Sequence, residues 1–185
     1  MVHVYTDGAT VGWNGKLGTV KEVGIGYWIS EKRIQCSDKF FAMSNNEAEY
    51  IALILAMRHC VREGYVEVVF YCDSEIIVHG ATHERRTKNE RMMRLKNEVI
   101  LLKKFFKHVS FVWIPREKNT IADFLSKEGC MKKVVRTFVY EDGTAHSNVL
   151  TQRQSMPSKK PVHYRQKSIF EVPKQKTIRE VLLGL

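Results

Sequence analysis

The sequence lacks the features of a membrane-embedded, secreted or disulfide-linked protein. No apolar run approaches the length of about 20 residues that spans a bilayer. The N-terminus has no basic region followed by an apolar one, so we expect no secretory signal. The four cysteines form no CxxC pair and no spacing typical of a metal site, which favours reduced thiols that pack as small apolar side chains. We therefore expect a cytoplasmic or nucleoid-associated protein with no membrane partner.

Acidic residues are scarce in the last part of the chain. The net charge over all 185 residues is +10. Residues 1–130 contain 19 Lys and Arg against 16 Asp and Glu, whereas residues 131–185 contain 11 against 4. A chain of this length fits one domain with an appendage, so we expect a domain over residues 1–130 and a basic extension over residues 131–185. A basic excess favours a polyanionic partner, although basic tails also serve solubility.

Hydrophobic patterning predicts an α/β fold with a mixed sheet. Three strands, near residues 2–6, 23–29 and 33–43, are joined by short connections and form an antiparallel meander. A helix from residue 44 to residue 64 leads to a strand at 67–72, and this spacing implies a right-handed crossover and a strand parallel to the first. The remaining predicted elements are a short helix at 75–80, a helix at 90–107 with Met93, Leu95, Val99, Leu102 and Phe106 facing inward, a strand at 109–114, and a helix at 120–127 that stops at Gly129.

Carboxylates recur where these elements begin or end. Asp7 follows the first strand, and Asp73 follows the strand parallel to it. Glu49 and Asp123 lie in the first turns of two helices. Open α/β sheets bind ligands at the carboxyl ends of their strands, so we expect the four groups to meet at one edge. Unpaired carboxylates would repel one another there, whereas two hard cations about 4 Å apart could activate water and stabilise the leaving oxygen of a phosphodiester.

Four segments together resemble the type 1 ribonuclease H family, most closely its archaeal-type branch. They are Tyr5–Ala9, Asn45–Tyr50, Tyr71–Ser74 and Ile114–Asp123, in family order and at family spacing within residues 1–129. The resemblance implies a ribonuclease H-like fold with a five-stranded sheet in the order 3-2-1-4-5 between helices. It also implies cleavage of the RNA strand of an RNA/DNA hybrid, leaving a 3′-hydroxyl and a 5′-phosphate. Two Mg²⁺ ions, replaceable by Mn²⁺, would be held by the catalytic residues Asp7, Glu49, Asp73 and Asp123.

The resemblance further implies which residues contact the substrate. Amides at Asn45 and Asn46 can read 2′-hydroxyls or base edges, although both asparagines also suit capping of the helix that follows. Ser74 also suits a turn after Asp73, and Arg116 suits either phosphate or solvent. The implied substrate contacts are Gly8, Ala9, Asn14, Asn45, Asn46, Ser74 and Arg116.

The choice between two neighbouring glutamates depends on the family motif. There the catalytic glutamate follows the second asparagine by three positions, which selects Glu49. Glu47 lies about 200° away around the helix, so we expect it to be solvated and Glu47→Gln to leave cleavage nearly intact.

The chain departs from the family pattern in three places. Trp13 replaces an asparagine, with Asn14 one position later, and Glu75 replaces a glutamine. The loop before Asp123 lacks the histidine found in many bacterial members. These changes leave the metal ligands intact but leave two alternatives open. One is a nuclease of the same fold that acts on double-stranded RNA or junctions, and the other is a non-catalytic nucleic-acid-binding module.

The family resemblance does not extend to the basic extension. Asp142 and Gly143 between β-prone runs predict a hairpin within residues 134–151. An extended arm over 152–167 and a short helix over 177–183 are expected to follow. The extension could add a grip on nucleic acid, dock Gln166–Phe170 on a sliding clamp, or mediate self-association through the hairpin edge.

Overall fold

A six-stranded mixed sheet forms the centre of the protein. The structure, a computed structural model, describes residues 1–10, 19–82 and 88–146. The strands are β1 (Val2–Thr10), β2 (Lys21–Ile29), β3 (Ile34–Ala42), β4 (Glu67–Cys72), β5 (His108–Trp113) and β6 (Val135–Arg136). The helices are α1 (Asn45–Arg62), α2 (Glu75–Thr82), α3 (Glu90–Lys103) and α4 (Thr120–Met131), with a 3-10 turn at Arg116–Lys118.

The strand order is β5-β4-β1-β2-β3-β6, which confirms the predicted order of the first five strands. β1 and β2 are antiparallel, and Asp7 lies opposite Gly26. β1 and β4 are parallel, with Thr6 opposite Cys72. The prediction that Asp7 follows the first strand is wrong, because β1 continues to Thr10 in its pairing with β2. The pairing with β4 ends at Thr6, so Asp7 and Asp73 still reach the same edge of the sheet. β6 lies in the segment predicted to form a hairpin, but its pairing was not predicted: it runs parallel to β3, with Val135 opposite Lys39.

Helices cover both faces of the sheet. α1 buries its apolar stripe, including Ile51 and Ile54, against β1 and β2, and it also packs against α3. α4 lies against β2 on the other face, where a side chain at Gly26 would meet the backbone nitrogen of Ser126. Within the described ranges, no helix is long and apolar enough to cross a membrane.

Two predicted helix ends differ from the structure. α4 continues to Met131, because Gly129 is required for packing and does not end the helix: a Cβ there would lie 2.4 Å from the carbonyl oxygen of Asp38. α3 ends at Lys103, and a tighter turn still brings Phe106 into the core. The prediction that Met93 faces inward is wrong, since its side chain is 39% exposed.

The segment after α4 packs on the domain in a way that the hairpin prediction missed. Val135 and Arg136 join β3, and a turn at residues 141–143 is closed by a single bridge between Val139 and Ala145. The segment Phe138–His146 packs against α1 and α3. Three of its aromatic side chains are buried there: Phe138, Tyr140 and His146. The extension predicted from residue 131 therefore begins inside the packed structure. The first compact unit spans residues 1–154, and the predicted arm, terminal helix and clamp motif lie outside the described residues.

Candidate active site

A cleft of about 540 Å³ opens where β1 and β4 end beside the start of α1. Three predicted metal ligands line it: Asp7, Glu49 and Asp73. The topology explains their meeting, because β1 and β4 are adjacent parallel strands and α1 connects the meander to β4. The other described residues lining the cleft are Gly8, Ala9, Thr10, Asn45, Ser74, Arg116, Lys127, Cys130 and Met131.

Asp7 is held from the α4 side of the sheet. Its side chain is only 4% exposed, and the hydroxyl of Ser126 donates a hydrogen bond to Oδ2. Burial and, to a lesser extent, the charges of Asp73 and Asp123 raise the pKa of Asp7 to about 6, despite the lowering effect of the hydrogen bond from Ser126. Without a cation, the protein therefore destabilises the ionised form of Asp7 relative to a carboxylate in water.

Glu49 approaches the cleft from the opposite face of β1. It is 4% exposed, and burial, followed by the charges of Asp7 and Asp73, raises its pKa well above the ordinary value. The backbone N–H of Gly8 donates to its carboxyl group. A Cβ at Gly8 would lie 2.3 Å from the backbone nitrogen of Glu49, so only glycine allows this contact between β1 and α1.

Asp73 is fixed by residues that come later in the chain. The indole nitrogen of Trp113 donates to its carbonyl oxygen over 3.0 Å. The amide nitrogen of Asn119 lies 3.5 Å from Asp73 Oδ1 and 3.0 Å from the carbonyl oxygen of Thr6, so one buried amide links β1 to the residue that follows β4. Glu49, Cys72 and Asp73 offer potential ligand atoms within 4.8 Å of one another.

Asp123 lies at the rim of the cleft between two cations. Its Oδ1 is 2.5 Å from Nη2 of Arg116, and its Oδ2 is 2.5 Å from Nζ of Lys127, one helical turn away. Partial burial acts to raise the pKa of Asp123, but the hydrogen bonds from Lys127 and Arg116 outweigh it and lower the pKa. Asp123 is not among the described residues that line the cleft, although both of its partners are.

The donor set fits a hard divalent cation. Two buried carboxyl groups with raised pKa values, facing a third acid, form a site that added positive charge would stabilise. Burial also raises the pKa of the Cys72 thiol well above its usual value, which keeps the sulfur protonated and leaves the carboxylate oxygens as the available ligands.

Comparisons with known proteins agree with this geometry. The family model described as "Reverse transcriptase-like" matches residues 28–129, more than half of the chain. Ribonuclease HI of Halobacterium salinarum is 30% identical over 129 residues, which is 69% of this chain and 63% of that protein. LC11-RNase H1, isolated from compost by a metagenomic approach, superposes with a TM-score of 0.61 at 31% identity, covering 70% of this chain and 94% of that one. The chain belongs to the type 1 ribonuclease H family.

A second structure of LC11-RNase H1 and one further relative extend the comparison. The structure of LC11-RNase H1 in complex with an RNA/DNA hybrid gives a TM-score of 0.57 at 30% identity, covering 70% of this chain and 96% of that chain. The Enterococcus faecalis protein EbsB, named as a hydrolase, is 30% identical over 134 residues, which is 71% of this chain and 96% of that protein. The sequence-based prediction of a ribonuclease H with the corresponding fold is confirmed.

The ribonuclease H cleft contains most of the predicted substrate contacts. Gly8, Ala9, Ser74 and Arg116 line it, and so does Asn45. Ser44 caps α1, since its hydroxyl accepts from the backbone N–H of residue 47; capping is therefore not the role of the asparagines. Asn46 is half-buried and is not among the described residues that line the cleft, and Asn14 lies outside the described residues.

The prediction that Glu47 is solvated is wrong. Its side chain is fully buried, on the side of α1 that faces α3 and the C-terminal segment. It accepts hydrogen bonds from Arg91 and His146, and these bonds, with one from the backbone of Met43, lower its pKa despite burial. The helical angle between the two glutamates correctly predicted that they point to different sides of α1. The side that carries Glu47, however, is covered by α3 and the C-terminal segment.

Several residues of the ribonuclease H site were not identified from the sequence. Lys127 could have been found from its spacing, because residues four apart on a helix are neighbours and Asp123 precedes it by four. Asn119 stood inside a recognised motif without an assigned role. Ser126 gave no signal, since its bond to Asp7 crosses from α4 to β1 and links residues far apart in the chain.

Gly8→Ala is expected to lower cleavage of hybrid at least about tenfold, because the new methyl group would push α1 and Glu49 away from β1. The measurement is kcat/KM on an RNA/DNA hybrid, with Gly64→Ala as the control. Gly64 follows α1 at φ +71°, and a Cβ there meets nothing within 4 Å, so its replacement strains the backbone without touching the site. Equal activity of Gly8→Ala and the unmodified protein would contradict the expectation.

Proposed function

We propose that this ribonuclease H hydrolyses the RNA strand of RNA/DNA hybrids with two Mg²⁺ ions held by Asp7, Glu49, Asp73 and Asp123. Water adds to phosphorus and the P–O3′ bond breaks, so that the products carry a 3′-hydroxyl and a 5′-phosphate. The observation that supports this proposal best is the cleft where three buried or half-buried acids meet, with the fourth at its rim. Family membership supplies the reaction class, and a relative solved with a hybrid supports this substrate.

The carboxylates suit the metal because they are hard oxygen donors that need positive charge. When bound, the ions would supply an activated water and stabilise charge on the leaving oxygen. The chain's own part is to fix the ligands: Ser126 orients Asp7, Gly8 binds Glu49, and Asn119 holds Asp73 against the end of β1.

Two basic side chains at the cleft suit contact with phosphate. Arg116 and Lys127 both line the cleft, and both bind Asp123. A guanidinium group can bind two phosphate oxygens at once, whereas an ammonium group acts as a point charge. Asn45 adds an amide that can both donate to and accept from a 2′-hydroxyl.

The test is a cleavage assay with three labelled substrates: RNA/DNA hybrid, double-stranded RNA and single-stranded RNA. Each is incubated with Mg²⁺, Mn²⁺ or EDTA, beside an Asp73→Asn variant. We expect cleavage of the hybrid alone, dependent on metal and lost in Asp73→Asn. Cleavage of double-stranded RNA in preference to hybrid would replace the proposed substrate, and equal inactivity of both proteins on every substrate would refute the proposal.

A further inference from the structure

A buried charged cluster lies behind the start of α1, away from the cleft. Glu47 is 0% exposed, and its Oε1 accepts from Nε of Arg91 over 2.9 Å. Its Oε2 lies 3.4 Å from Nε2 of His146, which is 1% exposed. The other ring nitrogen of His146, Nδ1, lies 2.7 Å from the hydroxyl of Tyr140. The cluster therefore joins α1, α3 and the segment that follows β6.

The same carboxylate fixes the backbone where α1 begins. Glu47 Oε2 accepts from the backbone N–H of Met43 over 2.8 Å, and the backbone N–H of Glu47 donates to Ser44 Oγ over 3.2 Å. This arrangement differs from a standard capping box, because the carboxylate accepts from the residue before the cap, Met43, and it fixes the direction in which the chain enters the helix. Asn45, which follows the cap residue Ser44, lines the cleft. Glu49 lies two positions beyond Glu47 on the same helix.

The first turn of α1 is therefore held from two sides. On the cleft side, its backbone rests against Gly8, with no room for a Cβ. On the other side, Arg91 and His146 hold Glu47. Both contacts fix the backbone from which the Glu49 side chain projects toward the other acids.

A contribution to stability alone does not explain why charged side chains occupy this buried position. Burying charged side chains gains little stability compared with an apolar packing of the same volume, while removing one partner leaves an uncompensated buried charge. A buried charged pair does, however, fix one geometry with directional bonds. That property is useful where a ligand must be held to within about half an ångström.

We propose that Glu47, Arg91 and His146 are positioning residues for the metal site, through which the segment Phe138–His146 sets the place of Glu49 and Asn45. The proposal rests on the proposed function, since it names what holds that site in its active geometry. None of the three is among the described residues that line the cleft; each acts through the first turn of α1. Glu47→Gln should therefore weaken cleavage, contrary to the expectation from the sequence alone.

Two replacements of His146 separate the bond to Glu47 from the bond to Tyr140. In His146→Gln, the amide nitrogen takes the place of Nε2 and can still donate to Glu47. In His146→Asn, the shorter side chain places its amide near Nδ1 and leaves Glu47 without this partner. Asp142→Asn is the control, because it removes the ion pair of the same segment with Arg94, at 2.6 Å, without touching Glu47.

The primary readout is the dissociation constant of Mn²⁺, measured by titration calorimetry on the full chain without nucleic acid. We expect His146→Asn to raise it about tenfold and to lower kcat on hybrid about tenfold, because a small displacement of a ligand is costly. His146→Gln and Asp142→Asn should stay within about twofold of the unmodified protein in both measurements. If His146→Asn does not fold, Arg91→Lys replaces it: the charge is kept but the bond from Nε to Glu47 is lost, with an expected rise of about threefold in the Mn²⁺ dissociation constant.

Equal Mn²⁺ affinities in all variants would overturn the positioning role. So would equal losses in His146→Asn and Asp142→Asn, since that result would mean that the segment only stabilises the fold. Failure of the proposed function gives a different pattern: the unmodified protein would bind Mn²⁺ without cleaving hybrid, and the comparison of affinities would still decide the proposal. A protein that binds no Mn²⁺ would overturn both.

Discussion

Asp7→Asn is expected to abolish cleavage and, in the absence of metal, to make the protein more stable. The loss of activity should reach about a thousandfold, equivalent to about 4 kcal/mol of barrier, because a central metal ligand loses its charge. The gain in stability follows from the same burial. Asp7 lies among other acids with a pKa raised to about 6, so its ionised form opposes folding until a cation is bound.

The pH dependence gives the sign of this effect. The folded protein binds the Asp7 proton more tightly than the unfolded chain, in which the pKa is near 3.8. The free energy of unfolding contributed by Asp7 is therefore highest below pH 4 and falls as the pH rises toward 6. The total loss is up to about 3 kcal/mol for a difference of about two pKa units. Asparagine cannot ionise and keeps an oxygen for Ser126, so the variant should lack this loss.

The measurement is urea unfolding in EDTA at pH 4.5 and pH 7.5, for the unmodified protein and Asp7→Asn. Asp38→Asn is the matched control, because Asp38 pairs with the exposed Arg136 and its replacement should change stability by less than about 1 kcal/mol. A variant that is less stable than the unmodified protein at pH 7.5 in EDTA would contradict the electrostatic account of the site.

Asn119→Asp is expected to destabilise the fold by about 3 kcal/mol and to lower cleavage at least about tenfold. Asn119 is 1% exposed, and its amide nitrogen donates to the carbonyl oxygen of Thr6 and faces Asp73 Oδ1. A carboxylate of the same shape would place an acceptor against both oxygens and add an acid to the site. The loss should be larger at pH 8 than at pH 4.5, because the introduced carboxyl group could still donate one of these bonds when it is protonated.

Unfolding in urea at the two pH values, together with kcat on hybrid, tests this expectation. Asn89→Asp is the control for the chemical change alone, since the side-chain oxygen of Asn89 accepts from the backbone of Arg91 and Met92 at the start of α3. Aspartate can accept the same bonds, so the change there should stay within about 1 kcal/mol. Equal effects at both positions would mean that the amide of Asn119 does not link β1 to the residue that follows β4.

The sheet and the positions of the proposed catalytic acids were predictable because local signals determine them. Periodicity located β1, α1 and β4, and the handedness of the crossover then placed Asp7 and Asp73 at one edge. The start of α1 was also visible, since Ser44 is a standard cap. Glu49 and Asp123 were located by their positions in the first turns of two predicted helices, and the family motif then selected Glu49 over Glu47.

The parts that were not predicted depend on partners far apart in the sequence. Gly129 resembles a helix-ending glycine in the sequence, but glycine is required there because α4 packs closely against β3. Glu47 looked solvated because nothing near it in the sequence would cover it; its partners are Arg91 and His146. Local rules describe a helix face correctly, but they cannot say which later segment will occupy it.

The late position of His146 in the chain has a consequence for biosynthesis. A nascent chain that has emerged only as far as Met131 already contains the four acids and every helix of the described fold. It still lacks Phe138, Tyr140 and His146, which fill the space behind α1. Helix α1 therefore lacks these contacts until residue 146 has left the ribosome, and we expect truncated versions that end before residue 146 to be less stable than versions that end beyond it.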